Sequence, residues 1–176
     1  MGLETFHISS SEKGLSSITT LIVGVKSAIL VDPPLLVPDA LRVVDFIRKS
    51  TSNPLHAVFV THHHPDHYFS ANPILEAFPS ALFYAAPYVR AGIDRDYDEK
   101  VKFWPTVFGK ENVPQAPRKP DPYPYSFCLL DGNQESPIVL LGPIQGDSVD
   151  HTIFWLPTER TVITGDALYG RSTHVW

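Results

Sequence analysis

The first third of the chain is built from short apolar, β-branched runs separated by polar turns. Ser17–Gly24 (SITTLIVG) and Ser27–Val31 (SAILV) are two such runs, and Val25–Lys26 lies between them. They predict a hairpin that ends at Asp32-Pro33-Pro34. From Asp39 the period changes. Ala40, Leu41, Val43, Val44, Phe46 and Ile47 fall at helical spacing, so Asp39–Lys49 reads as an amphipathic helix with Asp39 as its N-cap and Asn53-Pro54 as its break. Ala57–Val60 (AVFV) is a continuous apolar run and predicts a strand buried on both faces. Asn72-Pro73 predicts another helix start, with Ile74, Leu75, Ala77 and Phe78 on its apolar face. Ala81–Tyr84 reads as a strand, and Tyr88–Phe108 as helical in part. Val113–Pro124 (VPQAPRKPDPYP) is rich in proline and predicts an extended loop rather than a linker between domains. Tyr125–Leu130, Ile138–Leu141, Thr152–Leu156 and Thr161–Thr164 predict further strands. Strands with interspersed helices place the chain in the α/β or α+β class.

Composition narrows this picture. The 176 residues suffice for one domain, taken as 1–176, and 43% hydrophobic with 19% charged residues is a globular balance. A net charge of -5 argues against a nucleic-acid backbone as partner. Cys128 is the only cysteine, so no internal disulfide forms, and its place in an apolar run reads as core. Met1–Ser10 lacks the basic and apolar regions of a signal peptide, and no apolar stretch reaches the roughly 20 residues that span a bilayer. The expectation is a cytoplasmic enzyme without a membrane partner. Tyr84, Tyr88, Phe103, Trp104 and Phe108 read as core before pocket.

Chemistry is concentrated after the Ala57–Val60 run. Four of the eight histidines fall within the six residues His62–His67, in the sequence Thr-His-His-His-Pro-Asp-His. His62, His64, Asp66 and His67 form the pattern H-x-H-x-D-H. Imidazole nitrogen and carboxylate oxygen are both good zinc ligands. In extended backbone, residues two apart point the same way, so His62 and His64 can grip one metal. Pro65 then turns the chain so that Asp66 and His67 reach a second. His63 points away from its neighbours and is expected behind the ligands or in solvent.

With these residues the sequence resembles the metallo-β-lactamase superfamily, whose signature is H-x-H-x-D-H after a buried strand. The early hairpin and Asp32, its recurring acidic residue, match as well. Gly146-Asp147-Ser148-Val149-Asp150-His151-Thr152 is similar to the G-H-T-x-G-H-S segment, and Thr164-Gly165-Asp166 to the T/S-G-D segment, whose Asp bridges two metals. The resemblance implies an αββα sandwich with the metals at one edge between two sheets. It also implies the ligand set His62, His64, Asp66, His67, Asp147 and Asp166. Asp147 stands where the family has a His, which leaves open whether Asp147 or His151 takes that role. A carboxylate there shifts preference from Zn2+ toward Mn2+ or Fe2+. The family's last His ligand comes from a later strand; the chain stops at Trp176, and His174 does not match that position. The second half of the sandwich is therefore expected to be incomplete, with an unpaired sheet edge that invites homo-oligomers.

The implied activity is hydrolysis. A metal lowers the pKa of bound water to about 7, and the resulting hydroxide attacks a carbonyl carbon. Asp66 is the expected catalytic residue, orienting the hydroxide and passing its proton to the leaving group. The substrate would be a small lactam, lactone, ester or thioester, in keeping with xenobiotic detoxification. The competing expectation is a catalytically impaired remnant or fragment of such an enzyme. A mononuclear-iron sulfur dioxygenase shares much of the ligand set. Flavin-linked di-iron relatives carry Glu where this chain has His64.

Overall fold

The computed structural model describes residues 2–169. Its first sheet has six strands in the order β1 (Glu4–Ser9), β2 (Ile18–Val23), β3 (Ala28–Val31), β4 (Leu55–Val60), β5 (Leu82–Ala85) and β6 (Asp121–Pro122). The hairpin read from the sequence is β2–β3, antiparallel, with Ile22 opposite Ile29. β3, β4, β5 and β6 run parallel to one another. The continuous apolar runs are explained by burial on both faces. Ala28, Leu30, Val58 and Val60 face one core, and Ile29, Val31, Ala57 and Phe59 face another, with the strand period of two.

The first core is covered by three helices: α1 (Val37–Ser50), α2 (Ala71–Ala77) and α3 (Pro87–Phe108). The second core lies against a four-stranded antiparallel sheet in the order β10 (Thr161–Ile163), β9 (His151–Leu156), β8 (Ile138–Ile144) and β7 (Phe127–Cys128). Ile138, Leu140, Phe154, Leu156 and Cys128 point inward. The described residues thus form helices, sheet and sheet in three successive layers. Phe127, Leu141, Trp155 and Val162 lie exposed on the outer face of the second sheet.

Several expectations change in detail. α1 begins earlier, with Leu36 at the cap, because Pro38 fits the first turn. Asp39 is not its N-cap: its carboxylate accepts from the Ser11 backbone N–H (3.0 Å) and hydroxyl (2.8 Å). Leu41 is exposed rather than on the apolar face. Tyr88–Phe108 is helical throughout, and α3 stops at Gly109, whose φ of 89° is the left-handed stop. The proline-rich loop hydrogen-bonds along α2 and α3, where Pro117 and Pro120 carbonyls accept from Tyr97 and Arg90. Only Phe127–Cys128 of the predicted Tyr125–Leu130 strand is paired.

Candidate metal centre

The site lies at the C-terminal ends of β3 and β4, the place where parallel strands of an α/β sheet commonly present their chemistry. Asp32 follows β3. It is buried and has a φ of 62°, a left-handed backbone that Asp tolerates better than most residues. Its Oδ1 accepts from the Thr61 backbone N–H (2.7 Å), and its Oδ2 from the Thr61 hydroxyl (2.8 Å) and His67 Nδ1 (2.9 Å).

These bonds fix two tautomers. The Thr61 hydroxyl gives its proton to Asp32, so toward His62 Nδ1, 3.0 Å away, it can only accept. His62 therefore carries its proton on Nδ1 and has a lone pair on Nε2. His67 likewise gives Nδ1–H to Asp32 and aims Nε2 into the site. A third ring comes from the other sheet. His151 starts β9, and its Nδ1 is 3.2 Å from both the carbonyl oxygen and the hydroxyl of Ser148. The Thr152 N–H donates to the Thr61 carbonyl (2.7 Å) and joins the sheets at this point. His151 stacks on His62 with ring centroids 4.1 Å apart.

Around these rings stand the carboxylates. Asp147 Oδ1 is 2.9 Å from His151 Nε2 and 3.7 Å from His62 Nε2, and its Oδ2 is 2.9 Å from His64 Nδ1. His67 Nε2 is 3.3 Å from Asp66 Oδ2 and 3.4 Å from Asp166 Oδ1. Asp66 and His67 sit on the 3-10 turn Pro65–His67, and Asp166 on a second such turn, Gly165–Ala167. The six residues singled out from the sequence thus share one rim, and His151, the alternative to Asp147, stands beside them. Two sets have donor atoms all within 4.8 Å of one another: His62, Asp147 and His151, and His62, His67 and Asp166. His174 lies outside the described residues.

The donor set fits metal ions on an internal criterion. The Nε2 atoms of His62, His67 and His151 are buried and none makes a well-formed hydrogen bond, although carboxylate oxygens stand 2.9 to 3.7 Å from them. A buried polar atom left unpaired costs on the order of 1–3 kcal/mol. Three in one place, among carboxylates, suit a cation. Burial, and then the neighbouring His67 and His151, hold His62 well below the usual imidazole range. Burial also opposes charge on His67, but Asp66, Asp32 and Asp166 outweigh it and raise that ring well above its usual value. His64 is raised by Asp147 against a burial effect of the opposite sign. Asp147 is depressed far below the carboxylate range: burial works against this, and the close approach of the His151 and His64 rings prevails.

His63 is buried behind this rim, not in solvent. Its Nδ1 meets Asp150 Oδ1 at 2.6 Å, and its Nε2 meets Asp96 Oδ2 at 3.2 Å. Sequence reasoning missed Asp150 and Ser148, and nothing local marks them.

The sequence profile of the metallo-beta-lactamase superfamily matches residues 14–176. The chain belongs to the metallo-beta-lactamase superfamily. Solved structures share the fold. The B3 metallo-beta-lactamase BLEG-1 superposes with a TM-score of 0.69 at 15% identity, covering 96% of this chain and 74% of its own. The metallo-beta-lactamase family protein TTHA1429 from Thermus thermophilus gives 0.66 at 18% identity, over 98% of this chain and 61% of its own. TTHA1623, solved in a di-iron-bound form, gives 0.67 at 22% identity, over 97% and 76%. The chain thus spans between 61% and 76% of the length of these superfamily structures. No curated protein is a match for its sequence. Among the described residues no helix is long and apolar enough to cross a membrane.

Proposed function

We propose that this superfamily member is a metallo-hydrolase with a two-metal centre, acting on a small carbonyl compound: a lactam, lactone, ester or thioester. The observation that carries the reading is the convergence of three buried Nε2 atoms, none in a well-formed hydrogen bond, with Asp66, Asp147 and Asp166. His62, His64 and Asp147, with His151 beside them, would hold one ion, and Asp66, His67 and Asp166 the other. The mix of nitrogen and carboxylate donors suits Zn2+. Asp147 in place of a family His and the di-iron form of TTHA1623 favour testing Fe2+ and Mn2+ as well. When bound, such ions supply Lewis acidity and lower the pKa of water from about 15.7 to about 7.

The chain's own residues do the rest. Asp66 is held below its usual carboxylate range, for its pairing with His67 outweighs the burial that would raise it. It stays ionised, orients the attacking water and carries its proton to the leaving group. Asp32 holds the two rings that flank that water. Beside Asp66, His67 and Asp166 opens a cavity of about 370 Å³, with Leu15, Ile18, Leu168 and Tyr169 in its wall. That is the size of a small-molecule site. Turnover of a small xenobiotic would suit a cavity of this size, whose wall mixes those apolar residues with polar ones such as His7, Ser17 and Thr20.

Elemental mass spectrometry of protein purified without chelator tests the reading first. About two metals per chain are expected, followed by turnover in a screen of lactams, lactones and thioesters. The double substitution His62→Ala and His64→Ala should remove both metal and turnover. Absence of bound metal after incubation with zinc, manganese and iron, or full turnover by the double variant, would sink it.

A further inference from the structure

The loop between β8 and β9 departs from the G-H-T-x-G-H-S segment it resembles by exchanging Thr and Ser at two positions and by two changes of chemical character. Asp147 replaces a His, and Asp150 replaces a Gly. The structure connects the two positions. Asp150 is 6% exposed, and one oxygen, Oδ1, accepts from both the Ser148 hydroxyl and His63 Nδ1. Its Oδ2 is turned toward α3 and has no partner. There Gly92 leaves room: a Cβ at that position would lie 2.9 Å from Asp150 Oδ2 and 3.0 Å from the His63 ring. On its far side, His63 Nε2 reaches Asp96 (3.2 Å) and Arg95 (3.3 Å), both on α3. The loop is thereby fastened to a helix through a buried carboxylate and a buried imidazole.

Burying a carboxylate with one bare oxygen is expensive in solvation, and well-packed apolar groups would hold a loop at lower cost. What the arrangement supplies is direction. Because Asp150 takes the Ser148 hydroxyl proton, the Ser148 oxygen facing His151 Nδ1 can only accept. The Ser148 carbonyl, also 3.2 Å from that nitrogen, can only accept too. Two acceptors at Nδ1 hold the His151 proton there, so that Nε2, 2.9 Å from Asp147 Oδ1, is the nitrogen left for a cation held between the two.

We infer that Asp150, clamped by His63, is a positioning residue that fixes the His151 ring with Nε2 as a metal donor, so that His151 supplies the nitrogen that Asp147 does not. This rests on the metallo-hydrolase reading for the metal. The tautomer it predicts belongs to the chain alone. Groups that orient a ligating ring typically govern metal affinity by about 10- to 100-fold.

The test uses the whole chain and two readouts. In metal-free protein, 15N-detected imidazole spectra should show His151 protonated on Nδ1. Asp150→Asn should give a mixture of tautomers. Titrated with Co2+, Asp150→Asn should bind about 10- to 100-fold more weakly, with altered ligand-field bands. The exposed Glu99→Gln should match wild type in both. Should Asp150→Asn fail to fold, Ser148→Ala removes the same link with little change in volume and is expected to act in the same direction. A folded variant with wild-type Co2+ affinity and tautomer, or a wild-type His151 without a proton on Nδ1, would overturn the proposal. If wild type takes up no Co2+, the metallo-hydrolase reading fails, and the spectra alone still decide for or against the clamp.

Discussion

At the scale of single residues, Asp32 has more influence than its place behind the candidate ligands suggests. It makes three hydrogen bonds to Thr61 and His67, all buried, and sets two imidazole tautomers through them. Asp32→Ala leaves those donors unpaired. The expected loss is on the order of 3 kcal/mol of stability in metal-free protein, with metal affinity down by about 10- to 100-fold. Urea unfolding and a metal competition assay measure the two; a stability loss under about 1 kcal/mol would mean that the bonds matter little. His67 adds a pH signature. Its folded-state pKa is raised, so its contribution to metal-free stability is fully present below its unfolded value of 6.5 and is lost as pH rises through the folded one. The stability difference between wild type and His67→Gln should shrink upward from pH 6.5. A metal at Nε2 must displace that proton, so affinity should rise with pH in the same window. Proton release on titration in unbuffered solution reads this directly, and release of no proton would contradict it. The residues of H-x-H-x-D-H were legible because one turn of chain brings them together. His63 and Asp150 were not: they are 87 positions apart, and only the fold makes them neighbours.

Elements were legible where burial wrote a pattern. β3 and β4 are buried on both faces, and their continuous apolar runs showed it. β1 is an edge strand whose residues are mostly exposed or half-buried, so it left no alternation strong enough to see. α1 was placed too late because Asp39, read as a cap, is used in a tertiary bond to the Ser10–Ser17 loop instead. α3 shows the opposite relation, in which a local preference yields to the site. Gly92 lies inside this helix, where Ala would ordinarily be better by roughly 0.5–1 kcal/mol. The contact with Asp150 and His63 reverses that sign. Gly92→Ala should destabilise the chain by about 1–2 kcal/mol, in the range of overpacking, and weaken Co2+ binding. Thermal unfolding together with a metal titration checks both. A gain in stability with unchanged binding would show that α3 and the loop do not constrain each other.

The whole molecule presents a contrast between its two sheets. The first is covered by helices on one side and by the second sheet on the other. The second has only its inner face covered among the described residues. Register aligns Phe127, Val139, Trp155 and Val162 in one row across β7, β8, β9 and β10. Trp155 is 41% exposed and Val162 53%. Leu141 and Ile153 form a second row beside it. A contiguous apolar face bordered by β10, the end strand of this sheet among the described residues, favours association with a second copy. The homo-oligomer expected from the sequence would form through this face. Trp155→Lys with Val162→Lys should reduce concentration-dependent association, measured by sedimentation velocity, and leave metal content unchanged, because both side chains point away from the His62–His151 stack. The sign of that second result matters. If the double substitution also lowered metal content, the outer face would be coupled to the centre through β9, which carries Trp155 four residues after His151. A wild-type chain that stays monomeric at all concentrations would show that the exposed rows are tolerated in solution.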